Sequence, residues 1–212
     1  MFVADADMDK TCLRQGDILK NVLYPLVVAD EVRFLGIANS SADPVALPWQ
    51  AEQITLRNSP AWKCQMFARL GLAAVISQCC DIAPKNGRIT RQPTIALARL
   101  VPVPSGPAKD PEKLASLQAN KYPLNPEDPG YINYFYLPQD ERLDGKDWVI
   151  DYGQVLSIPS AEFPGILDRK ILQMTDDARI RFKIKLGASF GRSTQEEEQA
   201  GHPWLADQPP AE

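Results

Sequence analysis

The chain has 212 residues, 44% of them hydrophobic, and a formal net charge of −4. That is enough apolar material for a core that folds without disulfide staples, and the acidic balance excludes indiscriminate nucleic-acid binding by the whole surface. The four cysteines show no CxxC spacing, the first ten residues carry three aspartates where a secretory leader would be basic, and no apolar run is long enough to cross a bilayer, so the expectation is a protein of a reducing cytoplasm.

In chain order, residues 1 to 12 read as a flexible acidic arm, followed by one domain over residues 13 to 192. A first strand is expected from about residue 16 to residue 28, with Pro25 at a bulge or edge position. Residues 32 to 37 are placed beside it as a hairpin arm. Between residues 39 and 62 the prolines Pro44, Pro48 and Pro60 break any long helix, which makes this a loop-rich insertion with room for a short strand at 53 to 56. Residues 72 to 77 form a β-branched run expected to be a strand buried on both faces. Turn material at Pro84, Lys85, Asn86 and Gly87 separates it from a second run at 94 to 103, so the two are expected to be neighbours in one sheet.

Six prolines between residues 104 and 130 mark a second insertion outside the sheet, in which Asp110 as N-cap and Pro111 at the first helical position open a helix reaching about residue 120. Strand character returns at 131 to 137 and at 148 to 158. Residues 175 to 190 are ambiguous. Thr175 followed by two aspartates starts a helix, yet Ile180, Phe182, Ile184 and Leu186 alternate with basic residues as a strand would. At helical spacing Ile180 and Ile184 fall on one side, and Phe182, Leu186 and Phe190 on another, the pattern of a helix wedged between two surfaces, and the segment is read as a helix. The tail from residue 193, with its Glu196 to Glu198 run and Pro209-Pro210, has the composition of a disordered segment.

Chemistry concentrates where the strand at 72 to 77 stops, in Ser77, Gln78, Cys79, Cys80 and Asp81. Cys79 reads as a buried structural thiol. For Cys80, packing and site membership weigh equally, because the neighbouring carboxylate disfavours the thiolate a nucleophile needs. Asp81 is the stronger candidate. A carboxylate at a buried strand end requires donors, either from the turn backbone or from Arg69, Arg88 or Arg192. A turn-capping role for it is at least as well founded as a catalytic one. The only histidine, His202, lies in the tail and offers no Cys-His pair, and the cysteines have no zinc spacing. No P-loop, GxGxxG, HExxH or GxSxG is present, so neither metal nor cofactor is expected. Residues 169 to 192 hold seven basic side chains against two acids. This is an ordinary solvated face or, in the sharper reading, an anion-binding row in which Arg181 and Lys185 stand one helical turn apart.

The order of Gln15-Gly-Asp-Ile18, the run 73 to 77 after Arg69, Asp151 to Ile158, Leu167 to Leu172 and the Thr175-Asp-Asp start resembles the MazF/PemK growth-inhibitor toxins. The resemblance implies a mainly β fold with helical additions (α+β), an SH3-like barrel with proline-rich insertions and a C-terminal helix, and it allows a homodimer. It supports the helical reading of 175 to 190. The Arg-Pro pair with which these toxins cleave RNA is absent, since Arg69 is followed by Leu70 and Gly71, and no threonine or serine clearly follows the next strand. The chain also resembles uncharacterised bacterial proteins with Gln-x-Cys-Asp after the same strand, here Gln78 to Asp81, and a closing Phe-Gly-Arg, here Phe190 to Arg192. The expectation is therefore a toxin-like barrel module that binds a partner protein, RNA or DNA in a bacterial defence or toxin-antitoxin setting. Two enzymatic alternatives stand beside it: an endoribonuclease using Asp81 as base with Arg69 or Arg88 on the phosphate, and a thiol enzyme at Cys80. Ser77, Gln78, Arg88, Arg181, Lys185 and Arg192 are the candidate ligand contacts.

Overall fold

A computed structural model describes residues 1 to 26, 33 to 35, 63 to 65, 67 to 89, 91 to 120 and 131 to 191. The expected insertion at 39 to 62, its short strand at 53 to 56, the end of the second insertion at 121 to 130, Arg192 and the tail lie outside these residues. The chain divides into two compact units, residues 1 to 19 with 73 to 212, and residues 20 to 72.

The fold is mixed α and β, built on a six-stranded antiparallel sheet. Its strands are β1 (Ile18–Leu26), β4 (Phe67–Val75), β5 (Thr94–Pro102), β6 (Tyr134–Leu137), β7 (Trp148–Pro159) and β8 (Lys170–Leu172), in the order β6-β7-β5-β4-β1-β8. The four runs expected to be strands all contribute. The described sheet is open, with β6 and β8 as its ends, and is not closed into a barrel.

Both ends are blunted by local chemistry. On β6, the Asn120 side chain accepts from the Tyr136 N–H (2.7 Å) and donates to the Tyr136 carbonyl (2.9 Å), taking the bonds a further strand would make. Along β8, Phe2 bridges to Met174, the Val3 N–H donates to the Gln173 carbonyl, and the Thr175 N–H donates to the Met1 carbonyl. The opening segment, expected to be a free arm, is thus bonded to the residues that follow β8. Acidic composition concealed this, because backbone groups make the bonds.

Within the first unit, β4 contributes Ala73, Ala74 and Val75, all fully buried, paired with Arg99, Ala98 and Leu97 of β5. The β5 to β7 ladder shifts register between Ala98 and Arg99, which face Val155 and Asp151 of β7. The extra residues 152 to 154 form a bulge. Asp151 accepts from the Gly153 N–H and the Gln154 amide, and Gln154 accepts from Arg99. The helices are α1 (Ser105–Ala108), α2 (Pro111–Gln118), α3 (Phe163–Leu167) and α4 (Asp176–Phe190). As expected, α2 starts at Asp110, whose carboxylate accepts from the Glu112 and Lys113 N–H groups.

Residues 176 to 190 form a helix, capped by the Thr175 hydroxyl, which accepts from the Ala178 N–H. Ala178, Phe182, Lys185 and Leu186 make its buried face. The Phe182 ring meets Phe135 of β6 edge to face at 5.2 Å and Tyr152 of β7 at 5.8 Å, which lays α4 across the aromatic side of these strands. Gly16 belongs to the same layer: it has φ +91°, and a Cβ there would sit 2.8 Å from the Met174 sulfur.

In the second unit the outer parts of β1 and β4 are tied by the Tyr24 hydroxyl, which donates to the Leu72 carbonyl at 3.0 Å. The Tyr24 ring lies over Gly71, 3.3 Å from where a Cβ would stand. Here β2 (Arg33–Leu35) pairs with β3 (Lys63–Gln65) in a separate two-stranded sheet, not with β1 as expected. Sequence proximity favoured the hairpin, whereas the strand that matches β2 lies beyond the proline-rich insertion.

Candidate functional site

The turn after β4 begins with Ser77, which is consumed by the sheet: its hydroxyl accepts from the Ala96 N–H at 2.8 Å and its own N–H donates to the Ala96 carbonyl. The Gln78 carbonyl then accepts from the Asp81 and Ile82 N–H groups, and Ile82, fully buried, pins the turn to the core. Further on, Lys85 and Arg88 bridge through Asn86 and Gly87, both with positive φ, a two-residue hairpin turn.

This geometry separates the sulfurs. The exposed Cys80 thiol donates to the Gln78 amide oxygen and to the Asp81 carboxylate, both at 3.7 Å. Cys79, expected to be buried, is half-buried, and its sulfur accepts from the Gln15 backbone N–H at 3.2 Å and from the Arg179 guanidinium at 3.6 Å. The Gln15 side chain donates in turn to the Ile76 carbonyl at 2.7 Å. Cys79 therefore joins the loop before β1, the turn after β4 and the first turn of α4.

Among the described residues, Asp81 makes no ion pair with an arginine. Arg88 is exposed and enters the turn through its backbone, and Arg69 is exposed on the part of β4 in the second unit. The arginines that do reach this turn are Arg179, at the Cys79 sulfur, and Arg91, which donates to the Cys80 carbonyl at 3.2 Å. Spacing gave no signal for either: Arg91 folds back within the same β4 to β5 connection, and Arg179 comes from a segment remote in sequence.

Beside this turn lies a buried charge centre. Lys170 and Asp17, each with a side chain 1% exposed, pair at 2.7 Å. The ammonium also donates to the Asp9 carbonyl, the Cys12 carbonyl and the Gln173 amide oxygen, at 2.7, 3.2 and 3.0 Å. The same Asp17 oxygen accepts from the Arg14 N–H at 2.7 Å, while the other has no partner among the described residues. Burial raises the Asp17 carboxyl above its usual range, with Lys170 acting against it. Next to it, Asp9 accepts from the Cys12 thiol, from the Thr11 N–H and hydroxyl, and from Arg14, which holds its carboxyl far below the ordinary value. The Cys12 thiol is raised by burial and by Asp9. These bonds fix the opening segment to β1 and β8. Lys170, Asp9 and Cys12 are all engaged in these bonds, which gives the centre a structural role.

The surface of α4 differs from the expected basic row. Arg179 pairs with Asp176 at 2.8 Å, and Arg181 pairs with Asp177 one turn away. Lys185, expected beside Arg181 on an exposed row, is 1% exposed, and its ammonium has no hydrogen-bond partner among the described residues. Burial lowers its pKa from 10.5 to about 8. Ile180 and Ile184, in contrast, are each 55% exposed. The outward face of α4 thus carries two isoleucines flanked by Arg181 and Lys183.

Among the described residues no group of three or more His, Cys, Asp or Glu side chains is arranged to hold a metal ion, and no helix is long and apolar enough to cross a membrane. Comparison of the chain with protein-family models and with curated proteins returned no match to either.

Proposed function

We propose that the chain is a binding module of the toxin-like, SH3-barrel type related to MazF/PemK, which uses the outward face of α4 to hold a partner protein in a bacterial defence or toxin-antitoxin setting. The observation that carries this reading is the pair Ile180 and Ile184, each more than half exposed between Arg181 and Lys183. Two β-branched apolar side chains at the centre of a charged face suit an apolar protein surface with an acidic rim, and they make a poor bed for phosphates. Protein is therefore favoured over RNA or DNA. The strand order ending in a short β8 and α4 supports kinship with the toxin fold.

Catalysis is the weaker reading. An endoribonuclease needs a base and a cation converging on one phosphate. Among the described residues Asp81 has only the Cys80 thiol beside it, and Ser77 is engaged by the sheet. For Cys80 as a thiol nucleophile, the groups that hydrogen-bond its sulfur among the described residues are an amide oxygen and the Asp81 carboxylate, and the carboxylate's negative charge disfavours the thiolate.

Two measurements test the reading together. The purified chain is expected to leave an unstructured fluorogenic RNA uncut, and to co-purify with the product of a neighbouring gene when the two are co-expressed. Ile180→Asp with Ile184→Asp should abolish the co-purification while leaving the circular dichroism spectrum unchanged. Robust cleavage that disappears in Asp81→Ala or Arg69→Ala would establish the endoribonuclease reading instead.

A further inference from the structure

The polarity of α4 is inverted at its centre. Lys185 lies on the buried face with Ala178, Phe182 and Leu186, without a partner for its ammonium among the described residues, while the neighbouring Ile184 and Ile180 point outward at 55% exposure. A second orphan lies in β7 beneath: the Tyr152 hydroxyl is buried and has no partner among the described residues, its ring held between Phe182 at 5.8 Å and Phe190 at 6.4 Å. Buried polar groups are normally satisfied, and each one left unmade weakens the interface containing it. Among the described residues the rest of the β5 to β7 ladder carries no such load: Ile95, Leu97, Ala98, Val149 and Ile150 are fully buried, and the ladder is continuous on both sides of the bulge that holds Tyr152.

We infer that α4 is a detachable element, held to the sheet by the Phe182 aromatic contacts and opposed by the unpaired Lys185, so that it opens locally while the sheet stays folded. Opening hydrates the Lys185 ammonium and the Tyr152 hydroxyl at once, and it uncovers the aromatic layer of Phe135 and Tyr152. At the N-terminal end, the bond from Arg179 to the Cys79 sulfur breaks in the same step. Such openings draw on the low-stability end of a fold, and elements built this way serve as conformational devices. The inference stands on the packing of α4 alone and does not depend on what the Ile180 and Ile184 face binds.

Amide hydrogen exchange of the full chain at pH 7 over a series of low urea concentrations tests it. The amides of residues 180 to 190 should exchange at least 10-fold faster than those of β5 and β7 and with little urea dependence, as expected of an opening that exposes only the helix interface. Lys185→Met, which removes the orphan charge and keeps the length of the side chain, should slow exchange in α4 by roughly 100-fold, given the difference between pKa values of 10.5 and about 8. Exchange of α4 with the same protection and urea slope as β5 and β7 would overturn the inference, since the helix would then open only when everything unfolds. An unchanged rate in Lys185→Met would overturn it equally.

Discussion

Lys170 and Lys185 are both buried, and the molecule treats them in opposite ways. Lys170 meets the Asp17 carboxylate and three further oxygens, from Asp9, Cys12 and Gln173, whereas the Lys185 ammonium meets none among the described residues. The first lysine replaces its lost water completely and ties together the opening segment, β1 and β8. The second leaves a charge desolvated without compensation. A buried charge is therefore neither stabilising nor destabilising in itself; the oxygens around it decide. One end of the first unit is clamped by polar chemistry, whereas the middle of α4 rests on apolar packing, with polar contacts to other elements near its ends, from Arg179 to the Cys79 sulfur and from Ser189 to Asn133.

The largest effect should come from breaking the compensated centre. Asp17→Asn removes the counter-charge and leaves the Lys170 ammonium buried, so a loss of about 3 to 5 kcal/mol is expected in urea unfolding. A loss below about 1 kcal/mol would mean that the three remaining oxygens suffice.

The uncompensated centre should reveal itself through pH. The folded-state pKa of Lys185 is about 8, below its ordinary 10.5, so between these values the unfolded chain holds the proton more tightly and stability rises as pH rises. Below pH 8 the penalty is fully present. Across this window the stability advantage of Lys185→Met over the native chain should shrink by about 3 kcal/mol, because other titrating groups, Cys12 among them, contribute to both chains and cancel in the difference.

Gly16 connects the two regions, because it precedes Asp17 and packs under Phe182. Gly16→Ala places a Cβ 2.8 Å from the Met174 sulfur at φ +91°, and a loss of about 1 to 3 kcal/mol is expected, read as a lower thermal midpoint. Smaller again is Thr175→Ala, which deletes the cap on the Ala178 N–H. It should cost about 1 kcal/mol and speed exchange in the first turn of α4 more than elsewhere.

The sheet was legible because its strands are runs of buried β-branched residues bounded by turn signals, and the start of α2 because Asp110 and Pro111 are unambiguous. The helical state of 176 to 190 was only half readable, because Thr175 and its two aspartates signal a helix start while the alternation of Ile180, Phe182, Ile184 and Leu186 with basic residues signals a strand. Its orientation was not readable, since regular alternation of basic and apolar residues says nothing about which lysine turns inward. The same limit applies at Cys79 and Cys80. Strand periodicity ends at Val75, and the turn that follows decides which sulfur faces Gln15 and Arg179. The Asp17 to Lys170 pair joins segments remote in sequence, each of which looks unremarkable alone, and the partner of β2 lies beyond a long insertion for the same reason.

The contrast between the two lysines is tested most directly by one pair of variants, Lys170→Met and Lys185→Met, unfolded in urea at pH 7 beside the native chain. Opposite signs are expected, because one substitution strands a buried carboxylate and the other removes a stranded ammonium. Lys170→Met should lose about 3 kcal/mol or more, and Lys185→Met should gain about 2 to 3 kcal/mol. If both variants shift stability in the same direction, the account of α4 as an uncompensated element against a compensated centre is contradicted.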